Sequence, residues 1–167
     1  MFTVYTPDEI QELLVAGSKS KKAIQTSQED KLLHSIKHVR LFDNIEIEQV
    51  LKIVSDVKLN RYKAGDEIDM SGIEAHRIHY VISGAVTLPI NNDGEVELGK
   101  DQTFGEVGAF TKTYQKKLIG VTEENTVIFS FIINRAGLSK ETAESFVKFY
   151  ESLLTHTVNK LLWFELV

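Results

Sequence analysis

The sequence predicts a mainly-β domain with flanking helices: short strands folded as a sandwich or jelly roll, helices before it and one long helix after it. Three observations carry this. Apolar residues keep a helical spacing as far as Val54, and from Val57 they alternate with polar ones. Turn signals then recur at Ala64-Gly65-Asp66, Ser71-Gly72, Ser83-Gly84, Asn91-Asn92-Asp93-Gly94, Gly99-Lys100-Asp101 and Glu123-Glu124-Asn125. From Ser139 the helical period returns, with no glycine or proline to interrupt it.

Taken in order, Thr6-Pro7-Asp8-Glu9 reads as a helix start, with Thr6 as N-cap, Pro7 at the first helical position and Glu9 closing a capping box. Ile10, Leu13 and Leu14 form its apolar stripe, and Gly17 ends it. Ser18 to Lys22 is a polar joint. Lys19, Lys21, Lys22 and Lys31 suit an anionic partner or, more simply, a solvated linker. Ser27 and Asp30 open a second helix carrying Leu32, Leu33 and Ile36. Asp43 or Asn44 caps a third, with Ile47, Val50, Leu51 and Val54 at helical spacing. Residues 1–34 are therefore expected to form a helical extension and residues 35–167 the main domain.

Val57, Leu59 and Arg61 alternate with Lys58, Asn60 and Tyr62. Further short strands fit Glu67–Met70, Arg77–Ile82, Ala85–Ile90, Glu95–Leu98, Lys117–Thr122 and Thr126–Ile132, enough for a sandwich or a jelly roll. Asn92-Asp93-Gly94 between two alternating runs is a hairpin signal. Pro89 near a strand end suggests an edge position. In the last helix, over 139–167, Ala143, Phe146, Val147, Tyr150, Leu153, Leu154, Val158, Leu161, Leu162 and Trp163 follow 3–4 spacing. Such a face needs cover, from the roll or from a second copy. The hydrophobic end from Trp163 to Val167 is a candidate contact surface.

The 167 residues, 43% hydrophobic and 26% charged, suffice for one domain with a real core. A net charge of −5 gives no general attraction for nucleic acid. No apolar run approaches the length needed to cross a bilayer, so no membrane partner is expected. Met1 to Leu14 carries Asp8, Glu9 and Glu12 and does not read as a secretory signal. Without cysteine there is no disulfide and no thiolate nucleophile. Cytoplasmic residence is the default expectation.

Function is sought in Leu98-Gly99-Lys100-Asp101-Gln102-Thr103-Phe104-Gly105-Glu106-Val107-Gly108-Ala109-Phe110, with Gln115-Lys116-Lys117 behind it. Gly105 lets backbone N–H groups come close to another molecule. If Glu106 to Ala109 begins a short helix, its first N–H groups point outward and suit an anion. Glu106 itself would repel a phosphate and makes better sense as an acceptor from hydroxyls. Main-chain donors, an acid for a sugar hydroxyl and a nearby cation together describe a nucleotide pocket.

This run resembles the phosphate-binding cassette of the cyclic-nucleotide-binding domain family, roughly Gly-x-x-Phe-Gly-Glu-small-small-apolar. Three further pieces match in order: Val39-Arg40-Leu41-Phe42, Tyr62 to Ile68, and Ile78 to Val86. The resemblance spans about residues 35 to 155. It implies a β jelly roll (a double-stranded β-helix) with N-terminal helices and a long C-terminal helix. It also implies a ligand, cyclic AMP or cyclic GMP, held by Phe104, Gly105, Glu106, Val107 and Gly108, with Glu106 on the ribose 2′-hydroxyl. No resident cofactor or metal is implied. In the family an arginine holds the cyclic phosphate. Here the corresponding positions are Gln115 and Lys116, then Lys117, and lysine lacks the planar two-toothed grip. That leaves a weaker site, a site for another anion, or an empty scaffold, and both lysines also fit a solvated hairpin.

Gly65, Gly72 and Gly84 read as turn glycines. His76 and His79 raise the question of a jelly-roll metal site, but His-x-x-His puts the rings on opposite strand faces. No Gly-x-Ser-x-Gly elbow supports serine catalysis, and no enzyme activity is expected. Two readings follow. One is a sensor module whose C-terminal helix, through Leu153, Leu154, Val158 or Trp163, covers the base and signals to a protein effector. The other is a non-sensing module of the same fold that binds a partner or pairs two copies through that helix. A chain ending at Val167 is expected to lack the DNA-binding domain of the transcription-factor branch.

Overall fold

A computed structural model describes residues 4–6, 8, 33–71, 74, 76–90, 94–110 and 119–166. Most of the first expected helix (Pro7 and Glu9 onward), the lysine-rich joint, the start of the second helix, Gly72, the tip of the Asn92-Asp93-Gly94 turn, Gln115, Lys116, Lys117 and the Trp163 side chain lie outside the described residues. Residues 33–37 are helical and lead through a 3-10 turn, Arg40–Phe42, to helix α1, Ile47–Ile53.

Nine strands follow the expected mainly-β plan: β1 Val4–Tyr5, β2 Val54–Tyr62, β3 Glu67–Asp69, β4 Ile78–Ser83, β5 Val86–Pro89, β6 Glu95–Leu98, β7 Thr103–Phe104, β8 Ile119–Thr122 and β9 Thr126–Ile133 among the described residues. They form two antiparallel sheets, β1-β2-β9-β4-β7 and β3-β8-β5-β6. The hairpin expected at Asn92-Asp93-Gly94 is present, with Val86 opposite Leu98 and Pro89 opposite Glu95.

Strand alternation divides the core in two. Ile78 and Tyr80 on β4, with Phe129, Phe131 and Ile133 on β9, face the helices and pack with Phe42, Val50, Leu51, Phe146, Phe149 and Leu153. Val81 and Ile128, on the other face, pack inside the roll with Ile68, Val86, Leu88, Val96, Leu98 and Phe104. The first sheet is therefore covered on both sides.

Four expectations are corrected. Val54 does not continue α1, which is entered from Glu46 rather than capped by Asp43 or Asn44; Val54 is already extended and begins β2. β5 is an inner strand, not an edge; its ladder to β8 covers Val86 and Thr87, and Pro89 falls past its end. The C-terminal helix, here α3, runs Ala143–Leu166 rather than from Ser139. Ser139 acts before it: its N–H donates to Thr142 Oγ1 at 2.9 Å while the Thr142 N–H lies 3.3 Å from Ser139 Oγ, a reciprocal pair at the helix start.

The fourth concerns which face of α3 meets the roll. Phe146, Phe149 and Leu153 are buried, whereas Val147, Leu154 and Val158 are 55%, 63% and 42% exposed. The buried stripe steps by three and four residues and continues into His156 and Lys160. Phe149 anchors it between Phe42 and Phe131, with ring centroids 5.8 and 5.9 Å away. Leu154 and Val158 accordingly face away from the roll in this structure, and Leu153 is spent in the core. Among the described residues no helix is long and apolar enough to cross a membrane.

Candidate ligand site at the cassette and the last helix

The inner face of the first sheet leads to the cassette. Lys58 on β2 is opposite Ser130 on β9, Ser130 opposite His79 on β4, and His79 opposite Phe104 on β7. Directly opposed residues share a face, so the four side chains form one row across the sheet. The His79 and Phe104 rings are nearly parallel, 7° apart, with centroids at 4.7 Å. The row is unusually polar for an interior. Asn60 Oδ1, His79 Nε2 and Ser130 Oγ are buried with no hydrogen-bond partner among the described residues.

Charges close one end of this row. Arg77 is wholly buried; its Nη1 donates to the Asp56 carbonyl at 2.5 Å, its Nη2 pairs with the Asp56 carboxylate, and its Nε lies 2.9 Å from Glu74 Oε2. Lys58 Nζ reaches Glu74 Oε1 at 2.7 Å. Asp56 sits in a β-bulge at φ 48°, which turns both its carbonyl and its carboxylate toward Arg77. His79 is held neutral: burial, then the neighbouring Arg77 charge, pushes its pKa down to about 4.

The cassette follows directly. Phe104 is buried in the row. Gly105 has φ +86°, and a Cβ there would fall well inside contact distance of the Arg77 carbonyl oxygen. The glycine is thus demanded by the backbone at Arg77, just before β4, independently of any ligand. Glu106 opens the short helix α2, Glu106–Phe110, with the Ala109 N–H on the Gly105 carbonyl at 3.1 Å. Val107 is 61% exposed, and the buried Gly108 gives its carbonyl to His76 Nδ1 at 2.9 Å. His76 and His79 therefore point to different tasks, one on the cassette backbone and one in the roll; among the described residues no cluster suits a metal ion.

Glu106 is only 8% exposed, and its Oε1 is shared by two donors, the Thr103 hydroxyl and Lys160 Nζ at 2.6 Å. Lys160 also donates to the Thr103 carbonyl at 2.7 Å. A residue from the last helix thus holds the cassette acid, across 54 positions of sequence. Beside this contact an open cleft of about 840 Å³ lies between α3, the turn at 40–44 and the turn at 100–103. Arg40, Lys100, Asp101, Ser152, His156 and Lys160 contribute to its walls. Tyr80 braces it, donating to Asp101 Oδ1 at 2.7 Å; burial and that carboxylate raise its pKa.

Sequence reasoning brought Phe104 to Gly108 together and missed Thr103 and Lys160. The signal for Lys160 lay in the helical phase: stepping 146, 149, 153, 156, 160 crosses from apolar into polar residues on one face.

No protein-family model matches the sequence, and no curated protein matches it either. Solved structures do. A candidate cyclic nucleotide-binding protein from Geobacter metallireducens is 15% identical with a TM-score of 0.56, over 77% of this chain and 96% of that one. The sensor domain of the transcriptional regulator DNR from Pseudomonas aeruginosa is 21% identical with a TM-score of 0.52, over 78% of this chain and 91% of that one. The catabolite activator protein of Thermus thermophilus is 20% identical with a TM-score of 0.50; the match takes in 76% of this chain and 60% of the activator. At these identities the likeness is one of fold. The chain has the β-roll and C-terminal helix of cyclic-nucleotide-binding domains.

Proposed function

We propose that this chain is a non-catalytic regulatory domain that senses a cyclic nucleotide, cyclic AMP or cyclic GMP, and passes the signal through α3 (Ala143–Leu166) to a protein effector. The observation that carries the reading is the Glu106–Lys160 contact: the acid of the Phe-Gly-Glu triplet is joined directly to the helix that would report its state. A ligand that meets both elements stabilises their closed arrangement by its differential affinity for it. The Asn60, His79 and Ser130 atoms on the inner wall that have no partner among the described residues support a polar occupant. Phe104, Gly105, Glu106, Val107 and Gly108 form the cassette side of the site, with Gln115, Lys116 and Lys117 following it. The exposed stripe Val147, Tyr150, Leu154 and Val158 is then free to pair two copies or to receive the effector.

A second reading rests on the same contact. Glu106 already has two donors and Gly105 already has a structural reason, so a non-sensing interaction module of this fold uses the cassette only as scaffold. Thermal melting with and without each cyclic nucleotide separates the two. Ligand at a hundred times its dissociation constant adds about 2.7 kcal/mol, a rise of about 5–10 °C for a domain of this size. An unchanged melting temperature at millimolar ligand would favour the scaffold.

A further inference from the structure

We infer that Lys160, from the C-terminal helix, is the cation that meets the ligand's phosphate in this site. The inference rests on the reading that a cyclic nucleotide occupies the cassette.

From Phe104 to Phe110 the cassette carries one charge, and it is negative. A phosphate arriving beside Glu106 would be repelled unless a cation balanced that carboxylate. Among the described residues Lys160 is the cation paired with Glu106. Its side chain is 13% exposed and its ammonium touches both the Glu106 carboxylate and the Thr103 carbonyl. An ammonium has three donors. Two are used here, and the third has no partner among the described residues. Glu106 is likewise half used: among the described residues both of its contacts fall on Oε1, which leaves Oε2 to accept a sugar hydroxyl.

One side of the contact also lies where a ligand can reach it, because Thr103 and Lys160, though not Glu106, line the cleft of about 840 Å³. A lysine reaches as a point charge on a flexible stem, so it can turn toward a phosphate while staying near Glu106. Because it belongs to α3, a phosphate bound to it fastens the helix to the roll. One residue then balances the Glu106 charge and couples occupancy to helix position.

The test is calorimetric titration of the full chain with cyclic AMP and cyclic GMP, and with adenosine and guanosine, which keep base and ribose but lack phosphate. Lys160→Gln still donates to Glu106 but carries no charge. It should weaken cyclic-nucleotide binding on the order of ten- to a hundredfold and leave nucleoside binding unchanged. Lys160→Arg should retain or tighten cyclic-nucleotide binding. Cyclic-nucleotide affinity unchanged or raised in Lys160→Gln would overturn the inference alone, a rise meaning that Lys160 plugs the site. A loss of cyclic-nucleotide affinity of about ten- to a hundredfold in Lys160→Arg would overturn it as well, and needs no folded glutamine variant. A native chain that binds neither cyclic nucleotides nor nucleosides would remove the sensor reading, and this inference with it.

Discussion

Lys160 Nζ lies 2.6 Å from Glu106 Oε1, with both side chains largely withdrawn from water at 13% and 10% exposure. Removing one partner of such a pair strands the other charge. Glu106→Ala is expected to cost about 3 kcal/mol in chemical denaturation. Adding Lys160→Met to it should recover part of the loss, because the orphaned ammonium is gone. Strictly additive single and double variants would mean that the contact carries no energy in solution.

Gly105 and Gly65 have the same backbone sign, φ +86° and +85°, but different surroundings. A Cβ at Gly65 meets nothing within 4 Å, whereas one at Gly105 runs into the Arg77 carbonyl. Gly65→Ala should therefore cost about 1 kcal/mol, the left-handed penalty alone. Gly105→Ala should cost at least about 2 kcal/mol more, since the Arg77 backbone or the cassette must move. Equal losses in urea unfolding would show that the cassette does not press on the Arg77 backbone.

His79 makes stability depend on pH. Its folded pKa of about 4 lies below the ordinary 6.5, so the unfolded chain binds the extra proton first. Stability therefore falls as pH drops from about 6.5 toward 4, by about 3 kcal/mol from this group, and is fully restored above 6.5. In His79→Phe, which keeps a ring against Phe104, that part of the slope should vanish. Denaturation curves for both proteins from pH 4 to 7 give the difference; parallel slopes would place His79 in a solvated setting.

The two faces of α3 (Ala143–Leu166) should respond oppositely. Phe149 is fully buried, and Phe149→Ala should cost about 3–5 kcal/mol. Leu154, 63% exposed, should tolerate Leu154→Glu within about 0.5 kcal/mol in the isolated domain. If the exposed stripe pairs two copies, Leu154→Glu converts a dimer into a monomer in light scattering. A native chain that is monomeric at high concentration would leave the stripe to an effector.

The architecture was legible because turn residues and strand alternation are local signals: the Asn92-Asp93-Gly94 hairpin and the strands around it stand where the sequence puts them. Val54 was misleading for a physical reason. The bulge at Asp56 makes Val54 and Val57 face the same core across three positions, which copies a helical step inside a strand. On α3 the apolar residues form two stripes, and hydrophobicity alone does not say which one meets the roll. Phe149 and its ring partners decide it. The site divides in the same way. Phe104, Gly105 and Glu106 are contiguous and readable, while Lys160 joins them only through the docking angle of a distant helix.

Hydrogen exchange across the cassette and the last helix, with and without saturating cyclic nucleotide, tests the central claim most directly. Occupancy that is relayed from Glu106 to Lys160 should slow exchange both at residues 103–110 and along the helix around residues 153–163. Protection confined to the cassette, or none at millimolar cyclic AMP and cyclic GMP, would contradict a sensor that speaks through this helix.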